Sequence, residues 1–177
     1  MMPVAPLMIE HRVIERMVRL LRKPLEADNA VDPAFVDEVV DFMRSYADRT
    51  HHGKEEDILF KKLEAKGITG DLERTMRELI EEHKIARAGV RELAQLNLSL
   101  AQGDRSVLPR MREVLGILAE LYPRHIERED KHFFLPAMQL LTQEEKDKML
   151  ADFAEFDRQM IHEKYRGVVE SWEAKWI

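Results

Sequence analysis

The sequence predicts an all-α protein: an antiparallel up-down four-helix bundle with an additional C-terminal helix. Three observations carry this expectation. Apolar residues recur at three- and four-residue spacing along most of the 177-residue chain, with no alternating β pattern. Seven prolines and seven glycines leave room for long uninterrupted elements. Segments between the periodic stretches are short, which makes successive helices antiparallel neighbours.

The first helix carries Leu7, Ile14, Val18 and Leu21, with His11 on the same stripe; Pro24 and Asp28-Asn29 end it. Asp32-Pro33 reads as an N-cap followed by proline at the first helical position. The second helix runs from there to about Lys66, where Gly67 supplies a C-terminal cap. Its stripe is Val36, Val40, Met43, Ala47, His51, Glu55 and Ile58. Gly70-Asp71 opens the third helix, with Leu72, Met76, Leu79, His83, Ala86, Val90 and Leu93 on one face, and it closes near Gly103. The fourth starts around Ser106, tolerates Pro109 in its first turn, and carries Met111, Val114, Leu118, Leu121, His125, Glu129 and Phe133. Pro123 predicts a kink just before His125, and Pro136 an end. Thr142-Gln143-Glu144-Glu145 is a capping box that starts the fifth helix, whose apolar face holds Met149, Phe153, Phe156, Met160 and Trp172. The expected organisation is one domain over residues 1–177, with the bundle at about 7–138 and the additional helix at about 142–175.

Composition narrows the chemistry. With no cysteine, disulfides, thiolate metal sites and thiol catalysis are excluded. Charged residues at 35% and hydrophobic residues at 45% describe a globular chain. A net charge of -6 argues against nucleic acid or an anionic membrane as partner. No apolar run approaches the roughly 20 residues of a membrane span, and Met1 to Leu7 lacks the pattern of a signal peptide. The expectation is a cytoplasmic protein, monomer or homodimer.

A lone histidine on an apolar stripe is ordinarily a satisfied core residue. Here four helices each place one there: His11, His51, His83 and His125. Two add a carboxylate four residues on, Glu55 after His51 and Glu129 after His125, and such pairs share one helical face. Ionised Glu55 and Glu129 are costly to bury unless a cation pairs with them. Arg87 or Lys54 could supply that charge. A metal would neutralise both carboxylates outright, and imidazole with carboxylate suits iron, manganese or zinc. Six ligands are too many for one tetrahedral zinc and fit two metals bridged by the carboxylates.

His11, the run His51-His52-Gly53-Lys54-Glu55-Glu56-Asp57-Ile58-Leu59-Phe60, His83, and the run His125-Ile126-Glu127-Arg128-Glu129-Asp130 together resemble the hemerythrin-like, or HHE cation-binding, family. The resemblance spans roughly residues 7 to 138 and rests on motif order as well as content. It implies a four-helix bundle around a non-haem di-iron centre. Two iron ions would be held by His11, His51, Glu55, His83, His125 and Glu129. Glu55 and Glu129 would bridge them, with an oxo or hydroxo bridge also accommodated; zinc or manganese are the substitutes.

The sequence departs from the oxygen-carrying hemerythrins, which place a second histidine one turn after the third-helix histidine. Arg87 stands at that position. Asp130 occupies the place of the carriers' fourth-helix aspartate, although the face argument favours Glu129. The missing imidazole leaves three replacements: His52, then Glu56, then water or an exogenous ligand. Simple reversible oxygen carriage is therefore disfavoured.

The function implied is a protein that binds or senses dioxygen, nitric oxide or peroxide, with or without a signalling partner. The alternatives are a peroxide or nitric oxide reductase served by an external reductase, and an iron-buffering or metal-stabilised bundle. Glu129 and His132 form an E-x-x-H motif, but ferritin-like di-iron proteins need two and no second one is present. His162 reads as structural or exposed, the ten methionines as core filler, and Trp172 and Trp176 as a cap or a small contact surface.

Overall fold

The computed structural model describes residues 2–26 and 30–176, with side chains described as far as Met160 and at Lys164. Asp28, Asn29, and the side chains of His162, Trp172 and Trp176 lie outside the described residues.

Every regular element among the described residues is helical. The first, α1 (Val4–Leu21), starts a turn before Leu7 and ends in a 3-10 turn, Lys23–Leu25, that contains Pro24. The second rod begins with α2 (Pro33–Phe42), where the Asp32 side chain accepts from the Ala34 N–H. It continues through two wider π-helical segments, π1 (Met43–His52) and π2 (Glu55–Phe60), and closes as α3 (Lys61–Ala65). Its end is a Schellman cap: Gly67, at φ 74°, donates to Glu64, and Ile68 donates to Leu63. The long α4 (Gly70–Ala101) ends the same way, with Gly103 at φ 95° donating to Leu100 and Asp104 to Ser99. The next rod is α5 (Leu108–Arg128), π3 (Glu129–Phe133) and α6 (Phe134–Met138). In the capping box before α7 (Gln143–Trp176), the Thr142 N–H donates to Glu145 and the Glu145 N–H to the Thr142 hydroxyl.

Pro123 lies inside its helix, as expected, and Pro136 departs from expectation. α5 runs through Pro123 without ending, its ring on the exposed side. Pro136 does not stop the rod either. It falls in the first turn of α6, where a missing N–H removes no intrahelical bond.

The π segments also shift the buried stripe. Neighbouring residues of an α-helix are about 100° apart around the axis, so His51 and His52 should face differently, yet both are 1% exposed. In π1 each turn takes up an extra residue, and two consecutive side chains turn inward. For the same reason π2 buries Leu59 and Phe60 where the regular stripe expected Ile58, and Phe133 and Phe134 are both buried beside π3.

The helices pack as a bundle: α1 against α5, α2 against α4, α4 against α5, and α7 against π1 and π2. Two apolar clusters fill it. One contains Ile14, Val18, Met43, Val90 and Leu118, the other Leu7, Leu59, Met76, Leu79 and Phe133. Leu7 and Ile14 flank His11, and Leu79 and Ala86 flank His83. The histidines therefore lie between two water-excluding plugs.

Candidate metal centre

His11, His51, His52, Glu55, His83, His125 and Glu129 all meet at this level, each no more than 3% exposed. His11, His51, Glu55 and Glu129 bring donor atoms within 4.8 Å of one another. His52, Glu55, His83 and His125 do so separately, and Glu55 belongs to both groups.

The centre is built twice by one scheme. Nε2 of His11 lies 2.9 Å from Nε2 of His51, and Nε2 of His83 lies 3.1 Å from Nε2 of His125. One Glu55 oxygen is 3.4 Å from His51 and the other 3.5 Å from His83. One Glu129 oxygen is 3.2 Å from His125 and the other 3.1 Å from His11. Each carboxylate thus spans the two histidine pairs. Aromatic backing repeats as well, with Phe134 stacked on His11 at 5.7 Å and Phe60 on His83 at 6.2 Å.

Carboxylates orient the rings from outside. Nδ1 of His11 donates to Asp130 at 2.7 Å, His51 to Glu10 at 2.8 Å, His83 to Glu56 at 2.6 Å and His125 to Glu82 at 2.8 Å. His52 donates more weakly to Asp48, at 3.3 Å. In a neutral ring, a proton held on Nδ1 leaves Nε2 as a lone pair, so each ring can turn an acceptor towards the centre. Neither oxygen of Glu55 nor of Glu129 receives a well-formed hydrogen bond, and all four atoms are buried. With no proton or cation among them, facing lone pairs and carboxylate oxygens would repel one another in a dry core. Cations between them remove that cost. Two ligands at right angles, each about 2.1 Å from a shared metal, stand about 3 Å apart, which the two imidazole pairs match.

Ionisation follows the same geometry. Burial and the adjacent Glu129 charge push the Glu55 carboxyl well above its usual range. Burial opposes ionisation of Glu129 too, but His125 and His11 outweigh it and hold that carboxyl well below the usual range. For His125, burial acts downward and is overcome by Glu129 and Glu82, which carry it to about 9. His11 also ends raised, since Asp130 and Glu129 prevail over burial. Burial holds His51, His52 and His83 well below the ordinary imidazole range, and a neighbouring imidazole adds to each shift.

Arg87 does not enter the centre. It donates to Asp48 at 2.7 Å and to Glu56 at 2.8 Å, bracing the carboxylates that hold His52 and His83. Glu56, a candidate to fill the missing position, is instead the partner of His83, and Asp130 that of His11. Lys54 pairs with neither Glu55 nor Glu129. It is fully buried, and bonds Glu10 and, at 2.7 Å, Asp157 of α7. His132 is exposed, outside the centre. Sequence reading missed Glu10, Asp48 and Glu82 altogether. A signal existed: Glu10-His11 and Glu82-His83 are matching dipeptides on the first and third helices. Each glutamate, however, serves the histidine of the next rod.

Fold and centre define a metal-binding helical bundle. The model of the hemerythrin HHE cation binding domain matches residues 2–136, and the chain belongs to that family. No curated protein and no solved structure matches it.

Proposed function

We propose that the chain is an antiparallel four-helix hemerythrin-like protein that holds two iron ions and binds or senses a small ligand: dioxygen, nitric oxide or peroxide. The observation that carries this reading is the doubled cluster of inward Nε2 atoms around two carboxylates without hydrogen bonds. His11 and His51 would hold one ion, and His52, His83 and His125 the other. Glu55 and Glu129 would reach both. The first ion then has four donor residues and the second five, so six-coordinate iron keeps room for an exogenous ligand. Iron in such a site supplies reversible redox chemistry toward dioxygen and its relatives. The protein contributes fixed ring orientation through Glu10, Asp48, Glu56, Glu82 and Asp130, and two apolar plugs that exclude bulk water. Signal output or turnover would use an external partner or reductase, because the chain has no cysteine to serve as an electron donor.

Metal analysis combined with aerobic and anaerobic absorption spectra tests this reading. Two irons per chain with oxygen-dependent near-ultraviolet bands are expected. One tightly bound zinc and a spectrum indifferent to oxygen would overturn it.

A further inference from the structure

A cavity of about 370 Å³ opens on the outer side of His52. Its floor is His52 and Tyr122, and Asp48 and Arg87 form a wall. Arg44, Arg49, Lys84 and Arg91 complete the charged lining, so Asp48 is the single acidic side chain among five cations. In a chain of net charge -6 this is a local reversal of sign. Arg87 is engaged by Asp48 and Glu56, and Lys84 by Glu81. Arg44, Arg49 and Arg91 have no ion-pair partner among the described residues.

Tyr122 adds a second, independent observation. It is only 3% exposed, and its hydroxyl has no hydrogen-bond partner among the described residues. The hydroxyl is not wholly enclosed, and Tyr122 lines this cavity. A phenol is neutral near pH 7 and donates its O–H. A buried donor left unpaired is costly unless something in the cavity accepts from it.

The cavity also coincides with breaks in the twofold pattern. With His51 matched to His125, His52 corresponds to Ile126 and Asp48 to Tyr122. With His11 matched to His83, Arg87 corresponds to Glu15. Four residues of the floor and wall are therefore those that the repeat does not share. Inward of them, a crevice with no room for a water molecule separates the cavity from His83 and His125, and His52, Ala86 and Tyr122 line both spaces.

We propose that this cavity is an anion-binding antechamber, which holds a small oxyanion between the unpaired arginines and the Tyr122 hydroxyl, next to His52. The rim concentrates anions by Coulomb attraction. Arginine and the phenol supply the charge-assisted hydrogen bonds that a carboxylate or inorganic oxyanion requires. The narrow crevice and the carboxylates beyond it stop the anion at His52. The site stands without the metal reading, and it would give a metal-loaded centre a second ligand nearby.

Calorimetric titration with formate and with inorganic phosphate, in metal-free and metal-loaded protein at low salt, tests the proposal. The ring signals of Tyr122 are followed by NMR in parallel. Saturable binding that shifts those signals is expected. Tyr122→Phe, which keeps the ring, should weaken it about tenfold with metal content unchanged. The Arg49→Gln, Arg91→Gln double variant should weaken it further and flatten its salt dependence. Tighter formate binding would assign a carboxylate ligand, and tighter phosphate binding an inorganic one. Absence of binding, or binding indifferent to both variants, would overturn the proposal. Normal iron loading without anion binding removes the antechamber alone; anion binding in a chain that takes up no metal removes only the metal reading.

Discussion

His52 lies face to face with His83, ring centroids 3.8 Å apart and planes 13° apart. A candidate ligand on the second rod is thereby packed against one on the next helix, and the corresponding position of the other half is the apolar Ile126. Changing His52→Ala should weaken one metal of the two, the one held with His83 and His125. The His11 and His51 side should still load. Metal titration of the variant checks this, and two full-strength equivalents would exclude His52 as a ligand. His52→Ile, which copies Ile126, should give the same metal loss with less damage to packing.

The two bridging candidates should behave oppositely in metal-free protein. Glu55 is held protonated there, so Glu55→Gln keeps its form and should leave the melting temperature close to wild type. Glu129 is ionised between His11 and His125, and Glu129→Gln should destabilise by about 3 kcal/mol, as removal of one member of a buried charge group does. Both variants should lose metal. Equal melting temperatures in the two metal-free variants would contradict this distribution of charge.

Arg87→Ala should lower metal affinity by roughly 10- to 100-fold, in the range found when partners of metal ligands are removed. Arg87 reaches no donor atom of the centre, but it braces Asp48 and Glu56, and through them His52 and His83. Titration of the variant with iron under anaerobic conditions reads the effect. An affinity equal to wild type would show that Asp48 and Glu56 keep their places unaided.

Six of the seven central residues were legible in the sequence because each lies on an apolar stripe, where a polar side chain is conspicuous; His52 lies off its stripe and entered only as the neighbour of His51 that could fill the position taken by Arg87. Gly67, Gly103 and the Thr142 capping box were legible because caps are local. What one stripe could not disclose was anything set by two helices at once. Glu10 looks like a surface residue on α1 until π1 brings His51 to it, and Glu82 likewise until α5 arrives. Lys54 looked like a partner for Glu55 by proximity in sequence, yet its partners come from α1 and α7. The π segments escaped notice because local spacing assumes 3.6 residues per turn. Only the joint burial of His51 and His52, or of Phe133 and Phe134, exposes the wider turn.

The tie between α7 and the centre runs from Asp157 through Lys54 to Glu10 and His51. Lys54→Met should leave Glu10 without its cation, loosen His51 and weaken metal binding on the His11 side. Gly53→Ala approaches the same link without altering charge. A Cβ there would stand 2.7 Å from the Phe156 ring, which must swing aside and loosen its contact with the second rod. Reduced protection of α7 amides in hydrogen exchange should appear in both variants, and reduced metal affinity in Lys54→Met above all. Unchanged α7 protection in both would show that the helix is held by other contacts.

The pH behaviour of the metal-free protein follows from the two classes of imidazole. His125 is raised to about 9, above its unfolded value near 6.5, so its contribution is complete below 6.5 and is lost as pH climbs towards 9. His51, His52 and His83 are depressed, so below 6.5 the unfolded chain takes up protons that the folded chain refuses, and stability falls with pH. Glu55, raised well above its unfolded value near 4.5, also loses its contribution as pH rises, so the melting temperature should peak at or somewhat below pH 6.5 and decline on both sides. Metal loading reverses the upper limb. A ligand imidazole must be neutral and a ligand carboxylate ionised, so binding has to expel the protons held by His11, His125 and Glu55. Net proton release at pH 7 is expected, and metal affinity should rise with pH up to about 9. Calorimetry in buffers of different ionisation enthalpy measures that release directly. A titration without proton release would mean that the metals do not sit among these side chains.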